Sequence, residues 1–249
     1  MTNMQMEQTK IDDPLSLGKI IALHLLPGFV IVTVAAAIMW LLRDTSIPPI
    51  ASLSLAIPLA LIPTELGTLL YLGKKRNGRL SLDGIVHYGR PMPTLKWIGL
   101  TIAMFVATIL LLIVGSQLDG VINTQLFGWW PTWMDLNAFD ADALSTAGLW
   151  GSISVVYLFA NFLGPYVEEL YFRGYLLPRM DRFGRWAIPL NSFLFALYHF
   201  WTPWMVIGRT FGTMTFGYSA KKFNLNMAIA IHILINTIGT TIDVVGLFV

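Results

Sequence analysis

Residues 97–116 read WIGLTIAMFVATILLLIVGS and contain no charged side chain. A helix needs about 20 mostly apolar residues to cross the hydrocarbon core of a bilayer. This stretch of 20 residues is long enough to cross a membrane by itself. The rest of the chain is therefore interpreted as part of a membrane protein.

The composition supports the same class of protein. The 249 residues are 55% hydrophobic and 12% charged, whereas a soluble domain has about 25% charged residues. The absence of cysteine excludes disulfides, thiol nucleophiles, thiolate metal sites and lipid anchors on cysteine. The net charge of +2 is too small to indicate a nucleic-acid partner. Any catalysis must use carboxylates, imidazoles, amides or hydroxyls.

The length criterion predicts an all-α polytopic bundle of about seven transmembrane helices. They lie near 20–42, 48–73, 95–116, 147–177, 184–201, 203–219 and 225–248. Basic residues concentrate in the connections 74–96, 179–185 and 221–222, and the connection 117–146 has only acidic ones. Since basic loops stay in the cytoplasm, we expect a cytoplasmic N-terminal segment (1–19) and an outer C-terminus. The whole chain, 1–249, is predicted to be one integral domain of the cell membrane, in contact with the lipid bilayer.

Several ionisable or amide side chains interrupt the apolar segments of the second half of the chain. They are Glu168, Glu169, Arg173, His199, His232 and Asn236. A charged group near the bilayer centre costs about 2.5 to 3.5 kcal/mol on insertion scales, so such residues are usually kept for pairing or for chemistry. These residues are the main clue to function.

Helical spacing separates these residues into a neutralised pair and a reactive set. Glu169 and Arg173 are four residues apart and share a helix face, whereas the adjacent Glu168 is rotated by about 100°. His232 and Asn236 share a face in the same way. Glu168 is therefore predicted to be the free carboxylate.

Depth in the bilayer is a second test of whether these residues can act together. At about 1.5 Å per residue from the nearest cytoplasmic end, Glu168 and His232 lie about 15 Å deep, and His199 and Asn236 about 21 Å deep. We therefore expect all four in one layer, nearer the cytoplasm. Arg209, at about 18 Å, is expected to form a structural ion pair with a carboxylate, with substrate binding as the alternative.

The four residues of this layer match the needs of peptide-bond hydrolysis. The reaction requires a base for water, donors for the oxyanion and an acid for the leaving amine. Glu168 can be the base, assisted by His199. His232 and Asn236 can supply oxyanion donors, each typically contributing about 2.7 to 4 kcal/mol.

No cofactor is required by this arrangement, but zinc remains an alternative. Two histidines and one glutamate form a familiar ligand set with room for a water, and here it would be Glu168, His199 and His232. No H-E-x-x-H motif is present, and the ligands would come from three separate helices. We therefore predict no obligatory metal.

Other polar residues in apolar segments are expected to have structural roles. Hydrogen bonds to neighbouring helices are predicted for His24, Glu65, Asn161 and Asn191, with lining of the cavity as the alternative. Gly208 and Gly212 have the G-x-x-x-G spacing that lets helices approach closely, and we expect them to serve packing.

The motifs EELYFR (168–173), FALYH (195–199) and HILIN (232–236) together resemble the CPBP family of intramembrane proteases. This family comprises type II CAAX prenyl proteases and bacteriocin-processing (Abi) proteins, and its members are often labelled metalloproteases. The resemblance covers about residues 147–240, the predicted catalytic core. It implies a helical bundle around a cytoplasm-facing polar cavity, with Glu168 and His199 activating water and His232 and Asn236 stabilising the oxyanion. Glu169 and Arg173 would support the site or the end of the substrate.

The sequence therefore predicts an intramembrane endopeptidase acting on a membrane-associated protein or peptide. One alternative is a non-catalytic membrane protein of the bacteriocin-immunity type, which the same family includes. A second is a proton-coupled transporter, which is weakened by the absence of repeated, Gly/Pro-interrupted half-helices.

Overall fold

The structure, a computed structural model, describes residues 15–138, 140 and 143–246. Most of the predicted N-terminal segment 1–19 and Asp142 of the acidic connection lie outside this part. Within it the chain is helical, without a strand beyond one isolated bridge between Gly89 and Asn224. The predicted all-α polytopic membrane bundle is confirmed.

The helices of the described part follow the predicted segments closely. They are α1 (Leu17–Leu42), α2 (Pro49–Asn77), α3 (Thr94–Leu126), α4 (146–176), α5 (Ala187–Tyr198), α6 (Val206–Lys222) and α7 (Leu225–Gly246). Short 3₁₀ turns occupy Thr132–Met134 and Pro203–Met205, and a ten-residue 3₁₀ segment, Leu177–Trp186, is kinked at Gly184.

Two of these helices are too short to span a membrane alone. Five helical stretches in the described part are long and apolar enough to cross one: α1, α2, α3, α7 and the continuous stretch Thr146–Tyr198. Helix α5 has 12 residues, or about 18 Å, against a hydrocarbon core of about 30 Å. Helices α5 and α6 therefore form a hairpin. The exact number of spans, the cytoplasm-facing cavity and the orientation of the termini remain predictions.

Wide π-helical turns interrupt α2 and α4. They cover Ile57–Leu66 in α2, and Val156–Leu163 and Glu169–Leu176 in α4. Each contains or precedes a proline (Pro63, Pro165 or Pro178). Proline has no N–H to donate, and π-turns are rare bulges within α-helices that frequently mark functional sites. Glu65, Asn161, Glu169 and Arg173 lie in these turns, and Glu168 directly precedes one of them.

Glycines allow two helix pairs to pack closely. Gly208 of α6 lies against Ser116 and Asp119 of α3, and Gly212 lies against Leu112, leaving no free space for a Cβ at either position. The predicted packing role of these two glycines is confirmed. Gly28 of α1 meets α5, since a Cβ there would collide with the carbonyl oxygen of Tyr198.

Gly28→Ala is expected to destabilise the bundle by about 1 to 3 kcal/mol, because overpacking forces the backbones of α1 and α5 apart. Gly18→Ala in the same helix is the matched control, since nothing lies within 4 Å of a Cβ there and alanine favours helix. Thermal unfolding in detergent measures both. A Gly28→Ala midpoint equal to that of Gly18→Ala would contradict this packing.

Candidate active site

A buried ion pair lies next to Glu168 on α4. Arg173 Nη1 donates to Glu169 Oε1 at 3.1 Å, and neither side chain is exposed. The guanidinium carbon of Arg173 lies 3.9 Å from the ring centre of Phe195 on α5. The predicted i, i+4 pair on α4 is thus formed, and it also joins α4 to α5.

Glu168 lies between two imidazoles. His199 Nε2 is 4.0 Å from Glu168 Oε1, and His232 Nε2 is 3.8 Å from Glu168 Oε2. The carboxylate is on α4, His199 directly follows the end of α5, and His232 is on α7. Three elements far apart in sequence therefore meet at one carboxylate. Gaps of this length are too long for direct hydrogen bonds and suit an intervening water.

The partners of the second ring nitrogens indicate where the hydrogens are. His199 Nδ1 lies 2.8 Å from the carbonyl oxygen of Phe195, and His232 Nδ1 lies 2.9 Å from Glu169 Oε1. A carbonyl or carboxylate oxygen can only accept, so each Nδ1 carries a hydrogen. In the neutral ring, each Nε2 would then present a lone pair toward Glu168.

Asn236 makes its hydrogen bond at a defect in α4. Its Nδ2 donates to the carbonyl oxygen of Ala160 at 3.0 Å. In this π-turn the N–H of Gly164 bonds to the carbonyl oxygen of Phe159, five residues back. By the same spacing the carbonyl oxygen of Ala160 would accept from residue 165, but that residue is a proline and has no N–H. Asn236 supplies the missing donor, at a position eight residues before Glu168 in the chain.

Tyr198 and Glu65 extend the cluster toward α2. The Tyr198 hydroxyl lies 2.7 Å from Glu65 Oε1 and 3.2 Å from Glu168 Oε1. Both Tyr198 and Glu65 are fully buried. The predicted interhelical hydrogen bond of Glu65 is confirmed, but its partner and its connection to Glu168 were not anticipated.

The ion pair predicted for Arg209 is wrong. In the described part of the chain no carboxylate oxygen lies within 4.0 Å of it. Its Nη2 instead donates to Thr202 Oγ1 at 2.9 Å, and its buried Nη1 has no hydrogen-bond partner. This hydrogen bond fixes the Arg209 side chain to the α5–α6 turn, where Thr202 lies seven residues earlier in the chain. Arg209 interacts with Glu168 and Asp119 only at longer range.

The other predicted interhelical hydrogen bonds are present. Asn191 Nδ2 bonds to His24 Nε2 at 3.0 Å, connecting α5 to α1. Asn161 Oδ1 accepts from the hydroxyl of Thr240 at 3.1 Å, connecting α4 to α7. These side chains hold the helices that carry the site.

The residues of the alternative zinc set, Glu168, His199 and His232, lie near one another. The Nε2 atoms of the two histidines are 4.0 Å and 3.8 Å from different oxygens of Glu168. Among the described residues, no group of three or more His, Cys, Asp or Glu side chains meets the spacing of a metal site. That the site needs no metal stays a prediction.

Tyr198 was the functional candidate missed in the sequence. It directly precedes His199, and in a continuous helix neighbouring residues point about 100° apart. The helix ends at Tyr198, and His199 has the non-helical angles φ −81° and ψ 62°. This change of backbone direction allows both side chains to approach Glu168. The only available signal was a second polar residue within the F-x-x-x-H motif.

Comparison with known protein families finds a match over residues 150–238, to a family described as type II CAAX prenyl endopeptidase Rce1-like. The matched segment contains every residue of the three motifs. No curated protein and no solved structure matches the chain.

Glu169→Ala is expected to lower the free energy of unfolding by about 3 to 5 kcal/mol, because it leaves the charge of Arg173 buried and unpaired. Asp83→Ala is the matched control. Asp83 forms an i, i+4 pair with Arg79 at 3.0 Å, but both side chains are about three-quarters exposed, so its loss should cost about 0 to 1 kcal/mol. Denaturant unfolding in detergent compares them. Equal effects of the two changes would rule out a structural role for the buried pair.

Proposed function

Since residues 150–238 belong to the type II CAAX prenyl endopeptidase Rce1-like family, we propose that this integral membrane protein is an intramembrane endopeptidase. It hydrolyses a peptide bond in a membrane-bound protein or peptide, with water activated by Glu168. The match to a protease family supports peptidase activity, and the reaction mechanism is inferred from the geometry of the site.

One observation carries the proposal. A buried carboxylate, Glu168, lies 4.0 Å and 3.8 Å from the imidazole nitrogens of His199 and His232. General acid–base catalysis needs a base and its helpers within reach of one water molecule. In a merely structural histidine both ring nitrogens are hydrogen-bonded directly, as in His24, which bonds to Ile20 and Asn191.

Water is activated on the side of Glu168 that faces His199. A water placed off the line between Glu168 Oε1 and His199 Nε2 can lie about 2.8 Å from both atoms. Glu168 accepts one proton of this water while His199 Nε2 accepts a hydrogen bond from the other. The oxygen of the water then attacks the carbonyl carbon of the substrate, giving a tetrahedral oxyanion.

The oxyanion forms on the side of His232. A donor at His232 Nε2 requires both ring nitrogens to carry hydrogen, because Nδ1 already donates to Glu169. Two carboxylates lie next to this ring, Glu169 at 2.9 Å and Glu168 at 3.8 Å. The remaining N–H of Asn236 is the second donor.

The last step returns the proton. When the C–N bond breaks, protonated Glu168 gives its proton to the leaving nitrogen, so the products are an amine and a carboxylic acid. Glu169 and Arg173 support the site by holding His232 and Phe195. Arg209, whose Nη1 has no partner, is proposed to bind an anionic group of the substrate.

The substrate is proposed to reach the site from the bilayer of the cell membrane. The name of the matched family specifies a prenyl endopeptidase, so a farnesylated peptide and the same peptide without the lipid are the first pair of substrates to compare. The N-terminus is proposed to be cytoplasmic and the C-terminus outside.

Glu168→Gln is expected to reduce kcat for peptide cleavage by about 10² to 10⁴-fold, because the amide cannot accept a proton from water. Asp119→Asn is the matched control, since Asp119 is another buried carboxylate, on α3, which accepts from the backbone of Gly208. Cleavage in proteoliposomes measures both. If Glu168→Gln cleaves as fast as wild type, the proposed mechanism is wrong.

Chelation is expected to leave cleavage unchanged, because the mechanism routes no step through a metal. The purified protein is dialysed against EDTA and 1,10-phenanthroline, and kcat is measured before and after adding zinc. An activity that disappears on dialysis and returns with zinc would refute a metal-independent mechanism.

A further inference from the structure

Two buried polar groups next to Glu168 have no part in the reaction as described. Glu65 lies in the π-helical turn of α2, and Tyr198 is the last residue of α5. Both are fully buried, and the Tyr198 hydroxyl contacts both Glu65, at 2.7 Å, and Glu168, at 3.2 Å. Glu65 also lies outside the family match, which covers 150–238.

The number of hydrogens determines the direction of these contacts. A tyrosine hydroxyl has one hydrogen and can donate to one carboxylate only. Both contacts can be hydrogen bonds if one carboxyl group brings its own hydrogen. Glu65 fits this role because its Oε2 is buried without any partner, and an isolated buried carboxylate is strongly unfavourable.

The charges around Glu65 agree with a neutral carboxyl group. Glu168 and Glu169, both on α4, lie nearby, and the neighbouring cation, Arg173, is already paired with Glu169. A third ionised carboxylate would therefore lack a counter-ion. Protonated Glu65 instead donates to the Tyr198 oxygen, and Tyr198 donates to Glu168 Oε1.

We propose that Glu65 is a positioning residue that acts through Tyr198 to fix the orientation of Glu168. This inference rests on the proposed function, in which Glu168 is the base. Tyr198 holds Oε1 from the side of α5, so the carboxylate plane cannot rotate freely between His199 and His232. Helix α2 thereby contributes to a site whose motifs all lie in the second half of the chain.

The test compares three variants of the full-length protein in proteoliposomes, with cleavage of the farnesylated peptide as readout. Glu65→Gln keeps the shape and an N–H donor toward Tyr198, so kcat should stay near that of wild type. Glu65→Met keeps the volume without the donor, and Tyr198→Phe removes the hydroxyl. Both should lower kcat by about tenfold to a hundredfold, with KM unchanged because neither residue touches the substrate.

Thr108→Val is the control for losing a buried interhelical hydrogen bond elsewhere. Thr108 on α3 bonds to Thr215 on α6 at 2.6 Å, away from the site, and its loss should not change kcat. Unfolding midpoints identify any variant that fails to fold, and Tyr198→Phe keeps the proposal testable if Glu65→Met does not fold.

The failures of the two proposals can be distinguished. If wild type does not cleave, or Glu168→Gln cleaves normally, the proposed function fails. If wild type cleaves and Glu168→Gln does not, three results would each overturn the positioning role. They are full activity of either Glu65→Met or Tyr198→Phe, a change in KM alone, and a Glu65→Gln variant as impaired as Glu65→Met.

Discussion

The buried pair of Glu169 and Arg173 is the interaction on which the site depends. Both side chains are excluded from solvent, so each charge is tolerable only because the other neutralises it. The pair also holds two neighbouring elements, since Arg173 stacks on Phe195 of α5 and Glu169 accepts from His232 of α7. Removing either charge would therefore disturb the alignment of three helices as well as their stability.

The pair could be predicted because it is local. Spacing of four residues on one helix identifies Glu169 with Arg173, and counting residues from the cytoplasmic ends places Glu168, His199 and His232 at similar depths. These three side chains do meet. Both arguments assume a continuous regular helix. They predict contacts between side chains correctly where the chain follows that geometry.

The contacts that were missed all depend on departures from regular helix. Tyr198 reaches Glu168 because α5 ends immediately before His199. Asn236 binds Ala160 because a π-turn followed by proline leaves that carbonyl free. Arg209 was expected to find a carboxylate and found Thr202 in the α5–α6 turn. Backbone irregularities of this kind have no periodic signature, and they occur where the polar residues concentrate.

The shortness of α5 also has a consequence for biosynthesis. A helix of 12 residues provides too little apolar length to enter a bilayer as an independent segment. We therefore expect α5 to insert together with α6, after α4 has provided a protein surface for the polar turn that carries His199. The aromatic contacts of Trp204 in this turn with Phe127 and Trp130 beyond α3 would then form as the hairpin reaches its final depth. On this order of events, the catalytic layer is complete only when α7, which follows the hairpin in the chain, adds His232.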